Sequence, residues 1–207
     1  MTKDADTQVK MIIGLGNPGP EYENTRHNVG ATTVRLLASR LGAPLRKHAS
    51  RTWTSEARVG TLPGGAPGPR VILAIAQTYM NVCGGPLARL AQFHKIGPEN
   101  VLVIHDDLDL PAHQLRLKRG GGEGGHNGLT SLSQHLKTRD YVRLRIGIGR
   151  PPGRQSASDY VLAPIPVSLR GEWDVTFELA ADAAEDAALR GLIAAQRDLH
   201  SATGLRD

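Results

Sequence analysis

Thiols are almost absent: one cysteine, Cys83, stands in 207 residues. A single thiol cannot build an internal disulfide framework or a paired-cysteine zinc site. Aromatic residues make up only 4% of the chain, so Val, Ile, Leu and Ala must fill the interior. Long apolar runs are lacking too. The longest wholly aliphatic stretch, VILAIA (71–76), is far short of a membrane span. The opening MTKDADTQVK has no apolar segment of the kind a secretion signal requires. The expectation is a soluble cytoplasmic protein, with one domain over 10–200, a disordered tail over 1–9 and a C-terminal tail over 201–207. The 40% hydrophobic content is enough for one substantial core.

Acidic residues are unevenly supplied. The net charge is +5, yet residues 171–189 carry six acids and no Lys or Arg, so the remainder carries +11. Such a surplus suits a polyanionic partner, RNA or DNA, although a basic protein can also owe its charge to solubility alone.

From Asn24 to Ser55 there is no Asp or Glu at all. That absence bears on GLGNPG (14–19), where Gly14, Gly16 and Gly19 satisfy G-x-G-x-x-G. A dinucleotide site needs a helix opening inside the motif and an acid about 20 residues on. Pro18 and Pro20 and a polar run to Asn28 delay any helix, and the acid is missing. The glycines must shape a loop for other chemistry.

Periodicity sets out an α/β chain. VKMIIGL (9–15), RTWTSEARVG (51–60), RVILAIA (70–76), QLRLKR (114–119) and YVRLRIGIG (141–149) look like strands, and NVLVIHDDLDLP (100–111) like a buried strand running into an acidic loop. Helices are expected over 28–41, from about Pro86, over 128–137, and as one long segment from Val167 to Leu199. In that last segment Phe177, Ala181, Ala184, Ala188, Leu192, Ala195 and Leu199 recur at the helical period. Strands interleaved with helices indicate a single-domain twisted sheet with helices on both faces. The short return from 100–105 to 114–119 makes the sheet mixed.

Four polar clusters fall in turns or at strand ends: Asn17 with His27 and Asn28; Tyr79 and Asn81; His105, Asp106, Asp107 and Asp109; His126 and Asn127. Six of nine residues in GGGEGGHNG (120–128) are glycine. Ordering them costs entropy, which implies close backbone approach to a ligand unless the loop is a flexible hairpin tip. Asn127 is the expected N-cap of the next helix. Asp106 follows an apolar strand and so is partly buried, which demands a partner. A histidine would make a base with its orienter. A metal held by the acids with His105 and His113 is the alternative, but no established ligand spacing occurs. A solvated acidic turn is the plainest reading. No G-x-S-x-G elbow is present, so covalent catalysis lacks a carrier, whereas a His–Asp pair activating water does not.

The series GLGNPGPEYENTRHNVG (14–30), TYMN (78–81), HDDLDLP (105–111), RLKRGGGEGGHNGL (116–129), YVRLRIGIGRP (141–151) and DYVL (159–162) resembles the bacterial-type peptidyl-tRNA hydrolase family over Met11 to His200. The resemblance implies hydrolysis of the ester joining a peptide to the 3′ ribose of tRNA. No cofactor or metal is implied, and the partner is the acceptor stem and 3′ end of peptidyl-tRNA. The protein is expected to act as a monomer. His27 resembles the catalytic base, Asp106 the residue that holds it, and Asn17 the asparagine that reads a blocked aminoacyl group. Tyr22, Tyr79, Asn81 and Asn127 match substrate-contacting positions, and Lys118 and Arg145 match a pair gripping a tRNA phosphate. The sequence departs from the family at Ile75-Ala76, usually Lys-Pro, at Cys83, usually Ser, and at His113, usually Gly. The rival is a non-catalytic RNA-binding module on the same fold, which has no need of a His–Asp pair.

Overall fold

The computed structural model describes residues 7–203. Seven strands form one mixed sheet in the order β2-β3-β4-β1-β5-β7-β6. They are β1 (Met11–Gly14), β2 (Arg46–His48), β3 (Thr52–Arg58), β4 (Arg70–Ala76), β5 (Val101–Asp107), β6 (Leu115–Arg119) and β7 (Val142–Gly147). The aliphatic strands β4, β1, β5 and β7 run parallel at the centre, covered on both faces as such sheets must be. The antiparallel strands β2, β3 and β6 form the edges.

The helices are α1 (Val29–Arg40), α2 (Gly84–Phe93), α3 (Asn127–Leu136), α4 (Ala157–Leu162), α5 (Arg170–Arg190) and α6 (Leu192–Thr203). Alternation along the strands divides the interior in two. Ile12, Leu73, Leu102, Ile104, Leu144 and their neighbours face α1, α5 and α6. Met11, Ile13, Ala74, Val103 and their neighbours face α2 and α3. The expected single-domain sheet with helices on both faces is what the chain forms.

Several local expectations need correction. The short return from β5 to β6 does belong to a mixed sheet, but the two strands are not neighbours. Strand β6 pairs antiparallel with β7, which lies between them parallel to β5. The basic positions of β6 suit an edge, whereas β7 is buried. The second helix starts at Gly84 rather than Pro86. A Cβ at Gly84 would stand 2.1 Å from Ser131 O, and Gly84 N donates to Ser131 Oγ at 3.0 Å. This close helix–helix contact is non-local and unreadable from the segment itself. The long C-terminal helix breaks at Gly191, whose φ of 87° interrupts the helical backbone, although the apolar positions recorded for it do face the core. Strand β2 and helix α4 were not anticipated. The tails expected over 1–9 and 201–207 fall largely outside the described residues. Within them Val9 is buried, Asn100 Nδ2 donates to Gln8 O at 2.7 Å, and α6 continues to Thr203.

The first two glycines of GLGNPG, Gly14 and Gly16, answer to packing, and Gly19 to its φ of 111°. A Cβ at Gly14 would lie 2.4 Å from Gly30 O, and one at Gly30 would lie 2.1 Å from Ile104 O. Their absence lets α1 press onto the ends of β1 and β5. Leu15 N donates to Ile104 O and Ala31 N to Leu15 O across this contact. The helix that follows β1 starts only at Val29, not within the glycine motif.

Candidate active site

The C-terminal ends of the parallel strands open into one cleft of about 910 Å³. Its lining includes Asn17 after β1, Tyr79, Met80 and Asn81 after β4, and His105–Asp109 on β5 and the loop beyond it. Loops at this edge are where α/β sheets place ligands.

His27 sits in a short 3-10 turn, Arg26–Asn28, that leads into α1. Asp106 lies on the face of β5 shared with Ile104, toward α1. Both carboxylate oxygens of Asp106 are 3.0 Å from His27 Nδ1. A second imidazole reaches the same carboxylate: His126 Nε2 is 2.8 Å from Asp106 Oδ1. His126 is also the N-cap of α3, its Nδ1 accepting from Gly128 N at 3.1 Å and Leu129 N at 3.3 Å. The cap expected at Asn127 is thus one residue earlier. Asn127 occupies the first helical position, exposed and lining the cleft.

These contacts assign the hydrogens. His126 Nδ1 accepts from amides, so it is the unprotonated nitrogen, and Nε2–H donates to Asp106. Asp106 is an acceptor toward both rings, so His27 carries its hydrogen on Nδ1 and presents the Nε2 lone pair. Burial by itself would lower the His27 pKa, but the charge and hydrogen bond of Asp106 outweigh it and hold it above the ordinary imidazole value. Burial would likewise raise the Asp106 pKa, yet the two histidines keep it well below the usual carboxylate range.

Asn17 is held from three directions. Asn28 Oδ1 accepts from Asn17 N at 2.8 Å, and Asn28 Nδ2 donates to Asn17 O at 2.9 Å. Met80 N donates to Asn17 Oδ1 at 2.7 Å, which leaves the Asn17 amide nitrogen as a donor for a ligand. Asn81, exposed after β4, also lines the cleft. Exposed Tyr79 stands at its mouth, edge-on to Tyr22 with ring centroids 6.2 Å apart; Tyr22 lies beside the cleft rather than in its wall. Strand β4 runs regularly through Ile75 and Ala76, so the change from Lys-Pro leaves the approach to Asn81 intact.

Lys118 and Arg145 line the far side of the cleft. Arg145 is not free: its Nε lies 2.6 Å from Asp107 Oδ2. The acidic α5 packs on the opposite face of the sheet, where Arg40 takes Glu178, Asp182 and Glu185.

The structure separates the histidines of the metal reading. His113 packs against Trp173 with centroids 4.6 Å apart and bonds Thr176 at 2.8 Å, away from the cleft. His105 is buried, hydrogen-bonded through Nδ1 to Asp106 O at 2.7 Å, and pushed down to about 3 by burial and then by His126. Among the described residues, His27, Asp106 and His126 are the group whose ligand atoms lie within 4.8 Å of one another. An ion there would displace both imidazole hydrogens and move that of His126 onto the nitrogen capping α3. The donor set therefore fits a hydrogen-bonded triad better than a metal centre. Cys83 is buried and its thiol is pushed up to about 12 by burial, so it supplies no thiolate.

Residues 11–205 match the family model for peptidyl-tRNA hydrolase. The chain belongs to the peptidyl-tRNA hydrolase family. A peptidyl-tRNA hydrolase of Kineococcus radiotolerans is 50% identical over 191 residues, covering 92% of this chain and 96% of that protein. One of Paenarthrobacter aurescens is 47% identical over 196 residues, covering 95% and 98%. The crystal structure of peptidyl-tRNA hydrolase from Acinetobacter baumannii superposes with a TM-score of 0.82 at 33% identity, covering 95% of this chain and 96% of that one. No helix among the described residues is long and apolar enough to cross a membrane.

Local pattern marks His126 beside Asn127 as a loop residue and misses its bond to Asp106. It also misses Asn28 as the holder of Asn17 and the pairing of Asp107 with Arg145. For His126 one local signal existed: an imidazole immediately before a helical pattern can cap it.

Proposed function

We propose that this protein hydrolyses the ester between a peptide and the 3′ ribose of tRNA, with water activated by His27. The observation that carries the mechanism is the shared carboxylate. Asp106 receives both His27 Nδ1 and His126 Nε2, and His126 is locked in orientation by its cap, so the lone pair of His27 is fixed on Nε2. Membership of the family supports the reaction and the substrate class.

His27 Nε2 takes a proton from water as the oxygen attacks the ester carbonyl. Electrons move onto the carbonyl oxygen, where amide donors from Asn17, Asn81 or Asn127 stabilise the developing charge. Collapse of this intermediate breaks the bond to the ribose oxygen, which takes the proton from His27 and leaves as the 3′ hydroxyl. The products are free tRNA and a peptide carboxylate. An ester has a better leaving group than an amide, so no covalent nucleophile is required. Lys118 and Arg145 supply charge-assisted contacts to a phosphate of the acceptor end.

Incubation with N-blocked aminoacyl-tRNA, without added nucleotide or metal, tests the reading. Release of free tRNA and blocked amino acid is expected. Binding of the substrate without release would favour the RNA-binding module.

A further inference from the structure

Four cations stand as two directly opposed pairs on one face of β6 and β7: Arg116 faces Arg145, and Lys118 faces Arg143. Like charges directly opposite one another destabilise a sheet, so the arrangement needs compensation. Arg145 has it in Asp107. Arg143 has no carboxylate partner among the described residues, although it is only 2% exposed. A buried cation without a counter-charge is costly.

Backbone carbonyls hold it instead. Arg143 Nη1 donates to Gly122 O at 2.6 Å and Nη2 to Gly121 O at 2.8 Å, while its guanidinium lies 4.7 Å from the Tyr141 ring centroid. Its Nε has no partner. Gly120 and Gly121 have φ of 65° and 112°, values that L side chains rarely adopt. At Gly121 the missing side chain leaves room for Lys118: a Cβ there would stand 2.9 Å from Lys118 Nζ. The ammonium of Lys118 therefore rests on the very stretch of loop that Arg143 ties down. Partial burial and then the charges of Arg145, Arg143 and Arg116 lower the Lys118 pKa, a strain that a bound anion relieves.

We propose that Arg143 is a positioning residue for tRNA: by gripping Gly121 and Gly122 from beneath, it sets the glycine loop so that Lys118 is presented to a backbone phosphate. This rests on reading Lys118 and Arg145 as phosphate contacts. The six-glycine loop then acquires a purpose. Its backbone turns two carbonyls inward to the guanidinium and clears the path of the lysine.

The test uses Arg143→Gln, Gly121→Ala, Lys118→Ala and the two combinations with Lys118→Ala. Gly121 is exposed and has a φ of 112° that a side chain resists, so Gly121→Ala disturbs the lysine seat and the carbonyl that Arg143 grips while keeping the buried guanidinium itself, and it remains decisive should Arg143→Gln fail to fold. Affinity for deacylated tRNA is measured at several salt concentrations, alongside hydrolysis of blocked aminoacyl-tRNA and of a blocked amino acid on a short 3′ fragment. Arg143→Gln and Gly121→Ala should each weaken tRNA affinity about tenfold, raise KM for the full substrate and leave the fragment within about twofold. In the Lys118→Ala background both losses should largely vanish, the coupling expected of residues acting through one another. Unchanged tRNA affinity in the folded variants, losses that add to that of Lys118→Ala, or equal losses on both substrates would overturn the proposal. The hydrolase reading fails separately, by a wild-type protein that binds tRNA but releases none.

Discussion

Asp106 holds His27 Nδ1 3.0 Å from each of its carboxylate oxygens and does so while accepting a 2.8 Å bond from His126. One buried acid thus joins the turn before α1 to the cap of α3, across the end of β5. Its replacement affects base strength, tautomer and loop position together.

The pH dependence of hydrolysis follows. The proposed mechanism needs His27 Nε2 unprotonated, so it predicts a rate that falls as pH drops through a His27 pKa held above the ordinary imidazole value. Asp106→Asn removes the charge that raises this pKa and leaves burial, which lowers it. The acid limb should move to lower pH, and the plateau rate should drop on the order of 10²-fold as the base loses its orientation. An acid limb at the wild-type position would break the assigned pairing.

His126 can be dissected by paired substitutions. His126→Ala removes the cap, worth about 1 kcal/mol, and a bond to the buried Asp106 carboxylate, worth about 1.5–3 kcal/mol, so Tm should fall by roughly 5–15 °C. Asparagine is among the favoured N-caps, so His126→Asn should recover the cap's share of that loss, roughly 2–4 °C, yet still lack the reach to Asp106. Both variants should hydrolyse substrate at least about tenfold more slowly. If His126→Asn is fully active, the contact with Asp106 serves the fold alone.

Neither a thiol reagent nor a chelator should matter. Cys83 is buried with its thiol pushed up to about 12, and the candidate ligand atoms are committed to hydrogen bonds. Hydrolysis after prolonged iodoacetamide or in EDTA should stay within about twofold of the untreated rate. Strong loss in EDTA restored by a divalent ion would revive the metal reading at His27, Asp106 and His126.

Lys118→Ala with Arg145→Ala should weaken tRNA binding and flatten its dependence on log salt by about one to two units. Hydrolysis of the minimal 3′ fragment should change little. Equal losses on both substrates, or none on either, would reduce the two residues to ordinary cations.

Much of this architecture was legible because it is locally encoded. The aliphatic runs of β1, β4, β5 and β7 and the apolar period of α1 and α5 mark themselves. What escaped was non-local. The insertion of β7 between β5 and β6 depends on strand partners, and the start of α2 at Gly84 depends on Ser131 across a helix contact. At the site, His27 and Asp106 stood out as an acid needing a base. The second histidine did not, because a bond from His126 to Asp106 becomes visible only once α3 is packed beside the end of β5. Arg143 read as one more polar position of an alternating strand, and only the turned carbonyls of Gly121 and Gly122 show what it holds.

The central claim is that His27 is the base, and single-turnover hydrolysis of blocked aminoacyl-tRNA by His27→Ala tests it most directly. With enzyme saturating and tRNA affinity checked in parallel, the account predicts a loss of at least about 10²-fold in rate with tRNA binding unchanged. A His27→Ala protein that still cleaves the ester within tenfold of wild type would contradict it.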